Sequence, residues 1–278
     1  MNTIDTSMRA LEIQGTTVPK LGFGTWQIEG PEAEEAVRDA LEIGYRHIDT
    51  ARAYDNEEEV GRGLAAAGVE RSEIFLTTKI WREEYEPSTL RAAAEDSLAK
   101  LGTDYLDLLL LHWPNEDVDL DATLGALVQL RDERLIRHLG VSNFPAALLR
   151  EALDVAPIFA DQVEFHPFLS TPPLIELAVE KDFMLTAYSP LATGKVLEDD
   201  TLIEIADAHG KKPGQVALRW LLDQPNVAAI PKASSHERRL ENFDVFDFDL
   251  TDEQRSRIDA LPKDRREIDP GFAPDWDV

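Results

Sequence analysis

Cysteine is absent from the 278 residues, which excludes disulfides, thiolate metal sites and cysteine nucleophiles together. Long apolar runs are also missing: no stretch approaches the roughly 20 residues needed to span a bilayer. The first residues, Met1 to Ala10, are polar and lack the apolar core of a signal peptide. A soluble, cytoplasmic protein with no membrane partner is expected. Positive charge is scarce, with 28 Lys and Arg against 54 Asp and Glu, a net charge of -26 and a pI near 4.5. Such a surface repels phosphate backbones, and the basic clusters are no longer than Arg238-Arg239 or Arg265-Arg266, so a nucleic-acid partner is excluded. Lysine is scarcest, nine against nineteen arginines. This balance points to adaptation to concentrated salt, because at about 1 M the Debye length is near 3 Å and self-repulsion is screened.

What is present is a real core, 43% hydrophobic residues, with no Ser/Gly linker and no low-complexity segment. Two modest domains or one barrel fit the length, and the unbroken chain favours a single domain over residues 1–278. Short apolar runs recur at Leu21–Gly24, His47–Asp49, Ile74–Thr78, Asp107–Leu111, Ile136–Val141, Asp161–Glu164, Met184–Tyr188 and Val227–Ile230. They read as strands buried on both faces. Amphipathic stretches lie between them, among them Glu32–Glu42, Thr89–Leu101, Ala146–Asp154 and Asp252–Leu261. Leu11–Ile13 and Thr16–Val18 flank Gln14-Gly15 as a small hairpin. Eight strands alternating with helices close a (β/α)8 TIM barrel, with the hairpin before it and extra helices near the C-terminus. A doubly wound sheet would place a glycine-rich phosphate turn after its first strand, but Gly22-Phe23-Gly24-Thr25-Trp26 lacks the later glycine.

In a barrel, chemistry sits at the carboxyl ends of the strands. Here those ends carry Trp26, Asp49, Lys79, His112, Ser142-Asn143, Gln162, Tyr188 and Lys232, with Tyr54 in the loop after Asp49. Any one of these is ordinary as a cap, but Asp, Lys and His on consecutive strand ends beside a tyrosine suit proton donation to a carbonyl. A phenol with a pKa near 10 is a poor acid at neutrality. A buried lysine would lower that value, and an aspartate would keep the lysine charged. A neutral histidine could orient the substrate oxygen by a hydrogen bond. The strand ends supply neither a metal-ligand cluster nor a pair of catalytic carboxylates.

Five separated segments then resemble the aldo-keto reductase superfamily, in order and over nearly the whole chain. They are Gly44–Ala51 with Tyr54 and Glu57–Gly61, Leu106–Pro114, Gly140–Phe144 with Gln162–Pro167, Ala187–Leu191, and Ile230–Lys232 through Arg238 to Asn242. The resemblance implies NADPH-dependent reduction of a small carbonyl substrate, with Tyr54 as general acid, Lys79 lowering its pKa, Asp49 pairing Lys79, and His112 orienting the carbonyl. It implies that Ser142, Asn143 and Gln162 hold the nicotinamide carboxamide while Tyr188 stacks on the ring. Thr25, Trp26 and Asp49 border the same cofactor, Ser189 and Leu191 form the pyrophosphate strap with Gly194, and Lys195 belongs either to that strap or to the exposed loop. Lys232, Ser234, Arg238, Glu241 and Asn242 fall on the adenosine-phosphate segment; Glu241 either meets the adenine or pairs with Arg238. Preference for NADPH, with NADH also accepted, is expected from Lys232 and Arg238.

Trp26, Trp81 and Trp113 follow strand ends and suit an aromatic substrate wall beside His112. His166 has no visible partner and reads as structural. The tail from Pro262 is short, so a relatively open pocket is expected, with Trp276 either folded onto the rim or packed on the barrel side. No apolar repeat or extension suggests assembly, and a monomer is expected.

Overall fold

The computed structural model of the chain describes residues 9–169 and 171–276. An antiparallel hairpin comes first, β1 (Ala10–Ile13) and β2 (Thr16–Pro19). Its turn residues Gln14 and Gly15 both have positive φ, 48° and 77°, as a two-residue hairpin turn requires. Eight parallel strands follow: β3 (Phe23–Gly24), β4 (His47–Asp49), β5 (Phe75–Ile80), β6 (Leu106–Leu111), β7 (Ile136–Ser142), β8 (Ile158–Glu164), β9 (Met184–Tyr188) and β10 (Val227–Ala229). They pair in chain order from β3 to β10. Backbone bonds then join the two edges: Gly22 N–H donates to Ala229 at 2.8 Å, and Ala229 N–H donates to Lys20 at 2.8 Å. The sheet is therefore a closed barrel, and the expected (β/α)8 architecture stands.

Closure demands close approach. A Cβ on Gly24 would lie 2.8 Å from the Ile230 carbonyl oxygen, so the glycines of this first strand serve the barrel seam rather than a phosphate turn. Gly140, where the β7–β8 register shifts, leaves only 2.4 Å between a Cβ and the Ala160 carbonyl oxygen.

The helices are α1 (Gly30–Ile43), α2 (Glu57–Ala66), α3 (Pro87–Leu101), α4 (Leu120–Asp132), α5 (Ala146–Val155), α6 (Pro172–Lys181), α7 (Asp200–His209), α8 (Pro213–Leu222), α9 (His236–Phe243) and α10 (Asp252–Asp259). The helices expected from the sequence end within two residues of those found, since proline in the first turn and fraying blur such boundaries. None is long and apolar enough to cross a membrane among the described residues.

Strand alternation divides the core in two. Phe75, Leu108, Leu110, Phe159, Met184 and Ala228 fill the barrel interior, and Leu11, Ile13 and Val18 of the hairpin pack beneath them. Leu76, Leu109, Leu111, Val141 and Leu185 instead face the helix layer. The hairpin seals the amino end of the barrel, leaving the carboxyl end as the place for a cleft.

Candidate active site

The β4–β5 register sets Asp49 beside Thr77, so Lys79, two residues on, projects from the same face. Its Nζ donates to Asp49 Oδ1 at 2.6 Å, to the Thr50 carbonyl at 2.8 Å and to the Tyr54 hydroxyl at 3.3 Å. Lys79 is fully buried and Asp49 nearly so. Tyr54 ends a single 3-10 turn, Arg52–Tyr54, closed by Asp55 in the left-handed region. That turn is held by Arg52, which donates to Glu84 at 3.0 Å and to Asp96 at 2.8 Å. Buried Asn56 pins the other side, donating to the carbonyls of Thr25 and Ile28 and accepting from Thr50. His112 follows β6, its ring 5.8 Å from that of Tyr54 and 5.1 Å from Trp81.

The electrostatics agree in part with the sequence reading. Burial opposes the charge on Lys79, but Asp49 and Tyr54 outweigh it and hold its pKa above the ordinary lysine value. Burial, reinforced by the Lys79 charge, pushes His112 well below the usual histidine range, so the imidazole is neutral. Tyr54 departs from expectation: burial raises its pKa above the free phenol, and Lys79 only moderates the rise. The hydroxyl is thus protonated at neutrality, and the Lys79 ammonium lies where it would stabilise a phenolate.

Beyond this cluster opens a cleft of about 1120 Å³, lined at one end by Tyr54, Trp81 and His112 and at the other by Lys232, Arg238 and Asn242. Its floor is a network: Gln162 donates to Asp49 at 2.7 Å, Ser142 to the Gln162 carbonyl at 2.7 Å, Asn143 to the His112 carbonyl at 3.1 Å, and Tyr188 to Asn143 at 2.7 Å. Trp26, Ser189, Leu191, Gly194 and Glu241 also line the wall. Thr25 and Ser234 do not: the Thr25 hydroxyl donates to the Asp49 carbonyl, and the Ser234 carbonyl accepts from Arg239. Lys195 faces Glu198 instead, at 3.8 Å. Ser235 caps α9, and among the described residues neither Lys232 nor Arg238 has a carboxylate partner. This donor set fits an elongated dinucleotide, with amides, a hydroxyl and an aromatic ring at the reacting end and two cations at the other.

The tail overturns the expectation of an open pocket. Lys263 donates to the Pro167 carbonyl at 2.6 Å and Arg265 N–H to the Phe168 carbonyl at 3.0 Å, which directs the chain across the barrel mouth. Ile268, Asp269 and Pro270 line the cleft, Phe272 packs edge-on against Trp81 and Trp113, and Trp276 folds onto Trp113. His166 is not partnerless either, since its ring meets Glu164 at 2.9 Å. Other wall residues escaped the sequence reading, among them Gln27, Lys212 and Gly214. Lys212 carried a usable signal, as it precedes Pro213 at the first turn of α8.

The model of the Aldo/keto reductase family matches residues 20–263. The glyoxal reductase of Bacillus subtilis (strain 168) is 45% identical over 255 residues, covering 91% of this chain and 92% of that protein. The methylglyoxal reductase DkgA of Escherichia coli (strain K12) is 39% identical over 259 residues, covering 91% and 92%. The crystal structure of MGS-M4, an aldo-keto reductase from a Medee basin deep-sea metagenome library, superposes with a TM-score of 0.90 at 35% identity, covering 96% of this chain and 100% of that one. With the barrel, its cleft and these relatives together, the chain belongs to the aldo/keto reductase family, oxidoreductases that act on small carbonyl compounds with a nicotinamide cofactor.

Proposed function

We propose that this protein reduces aldehydes, dicarbonyls or keto sugars to alcohols, with NADPH as its preferred reductant and NADH as a second. The observation that carries the reading is one fully buried lysine, Lys79, in contact with both Asp49 and Tyr54 at the base of the cleft. When bound, the nicotinamide cofactor supplies a hydride to the carbonyl carbon. Ser142, Asn143 and Gln162 would hold its carboxamide, Tyr188 would stack on its ring, and Ser189 and Leu191 would border its pyrophosphate. Lys232 and Arg238 would meet the adenosine phosphate, with Glu241 and Asn242 beside them. Tyr54 gives its proton to the carbonyl oxygen, and the phenolate is stabilised by the Lys79 ammonium, which Asp49 keeps charged. Neutral His112 donates a hydrogen bond that orients the oxygen. Trp26, Trp81 and Trp113 shield the reacting carbonyl from water. The names of the glyoxal and methylglyoxal reductases among its relatives support small dicarbonyls as substrates. The test is a panel of aldehydes and ketones with each cofactor at low and high salt; NADPH absorbance that stays constant with every compound sinks the proposal.

The net charge of -26 supports concentrated salt as the working medium. Melting temperature should rise from dilute buffer to molar KCl, as screening removes self-repulsion beyond about 3 Å. A melting temperature that does not move would reject salt adaptation while leaving the reductase reading intact.

A further inference from the structure

We propose that Glu164, outside the reacting cluster, is the positioning residue that latches the C-terminal tail across the cleft and so sets which carbonyl compounds fit. The proposal rests on the reductase reading for its substrates, but not for its structural half. Glu164 ends β8, two residues beyond Gln162 and therefore on the same face of that strand. Its side chain is wholly buried, 0% exposed. A carboxylate there must be surrounded by donors, and three are present. Oε1 accepts the Glu267 N–H at 2.6 Å and the His166 ring at 2.9 Å, while Oε2 accepts the Ile268 N–H at 2.9 Å. His166 Nδ1 accepts the Phe168 N–H at 3.2 Å, which leaves Nε2 to carry the proton and donate to Glu164.

The bonds to Glu267 and Ile268 are the directional ones at the point where the tail enters the cleft. Upstream, Lys263 and Arg265 tie it to residues 167 and 168. Downstream, Phe272 and Trp276 rest on Trp81 and Trp113 through ring contacts, which tolerate sliding. The two amides on Glu164 therefore decide where Ile268, Asp269 and Pro270 stand opposite the tryptophans. The Glu267 side chain extends the latch sideways, accepting from Thr193 at 2.9 Å in the segment Ala192–Glu198 that borders the cofactor end. A small dicarbonyl seated on Tyr54 and His112 stays clear of this wall. A fused-ring aldehyde reaches it.

Glu164→Gln in the full chain keeps the shape but presents one oxygen and one NH2 to two amide donors. Trypsin cleavage after Arg265 and Arg266, followed by mass spectrometry without catalysis, should accelerate about tenfold, the scale of one lost charge-assisted hydrogen bond. KM for 2-naphthaldehyde should rise about tenfold, with kcat and both methylglyoxal constants moving less than about twofold. Unchanged cleavage, or equal losses on both aldehydes, overturns the latch. Should Glu164→Gln fail to fold, Ile268→Pro removes one of the two amides from the tail side and leaves the strand intact. Because Ile268 itself lines the cleft, that variant is read by cleavage alone: trypsin must act about tenfold faster, and a wild-type cleavage rate overturns the proposal too. A wild-type protein that reduces no aldehyde defeats the proposed function instead, and the trypsin rates still decide the latch.

Discussion

Around Tyr54 most polar atoms are paired inside the protein, the buried Nδ1 of His112 being an exception, whereas at the far end of the same cleft Lys232 and Arg238 face outward with no carboxylate partner among the described residues. The reacting end is made by strand termini whose register fixes Asp49, Lys79 and Gln162 to within a hydrogen bond. The end proposed for the phosphate is made by a loop and the first turn of α9. Stabilising a charge that appears only in the transition state requires dipoles already in place, which rigid strand ends provide. Holding a phosphate that arrives fully charged requires only local cations on an otherwise repelling surface. Substitutions at the two ends should therefore fail differently: rate and stability at one, cofactor choice at the other.

The largest effect is expected from Tyr54→Phe, which keeps the ring and removes the proton. Turnover should fall by at least the 10²–10⁴-fold or so that general acid catalysis contributes, with cofactor binding nearly unchanged. Single-turnover kinetics together with a cofactor titration check both halves; more than half of wild-type turnover, with chemistry rate-limiting, would break the assignment. Lys79→Met comes next. It leaves Asp49 buried without its cation, a loss of about 3–5 kcal/mol in stability, and leaves Tyr54 with its burial-raised pKa unopposed. Denaturant unfolding and turnover should fall together, unlike Tyr54→Phe, which should unfold as wild type does.

The barrel was legible because strands buried on both faces are continuous apolar runs, and Asp49, Lys79 and His112 interrupt those runs at their ends. Contacts between distant segments leave no such mark. Glu164 and Glu267 are 103 residues apart, and nothing periodic in the sequence announces their hydrogen bond. Asn56 reads as one more polar loop residue until Thr25, Ile28 and Thr50 are seen around it. The open-pocket expectation failed for the same reason: tail length was visible, but the carbonyls of Pro167 and Phe168 that steer the tail were not.

Asp161 sharpens the comparison from within the well-paired end. It read only as the start of a strand, yet it is fully buried in β8, and neither carboxyl oxygen has a well-formed hydrogen bond among the described residues. Burial drives its pKa well above the ordinary carboxylate value, and the Phe144 backbone offsets this only slightly. A raised folded-state pKa gives a stability contribution that is complete below the unfolded pKa of about 3.9 and is lost as pH rises through the folded value. Asp161→Asn cannot ionise. It should therefore be more stable than wild type at alkaline pH, with the gain shrinking toward acid. Melting temperatures of both proteins from acid to alkaline pH check this, and parallel curves would return Asp161 to the satisfied set.

The smallest effect tests the open end. NADPH and NADH differ by one phosphate, and a chain of charge -26 repels that phosphate wherever no cation stands. Arg238 lines the cleft without an ion partner among the described residues, while its neighbour Arg239 is turned inward onto Asp39 and the carbonyls of Ala233 and Ser234. Ala233 offers no hydroxyl, and the Ser235 hydroxyl is engaged as the cap of α9, so Lys232 and Arg238 are left to supply the recognition. Arg238→Ala removes one charge-assisted contact, of about 1.5–3 kcal/mol, and should lower the ratio of kcat/KM for NADPH over NADH by about tenfold or more. Turnover at saturating cofactor should hold, because the residue touches nothing at the reacting end. In molar salt the wild-type ratio should itself narrow as the charge contribution is screened, and the variant should lose less by comparison. Measuring both cofactors in both proteins at two salt concentrations separates the alternatives: a ratio that ignores the substitution removes Arg238 from the site, and a ratio that responds to it but ignores salt assigns the contact to geometry rather than charge.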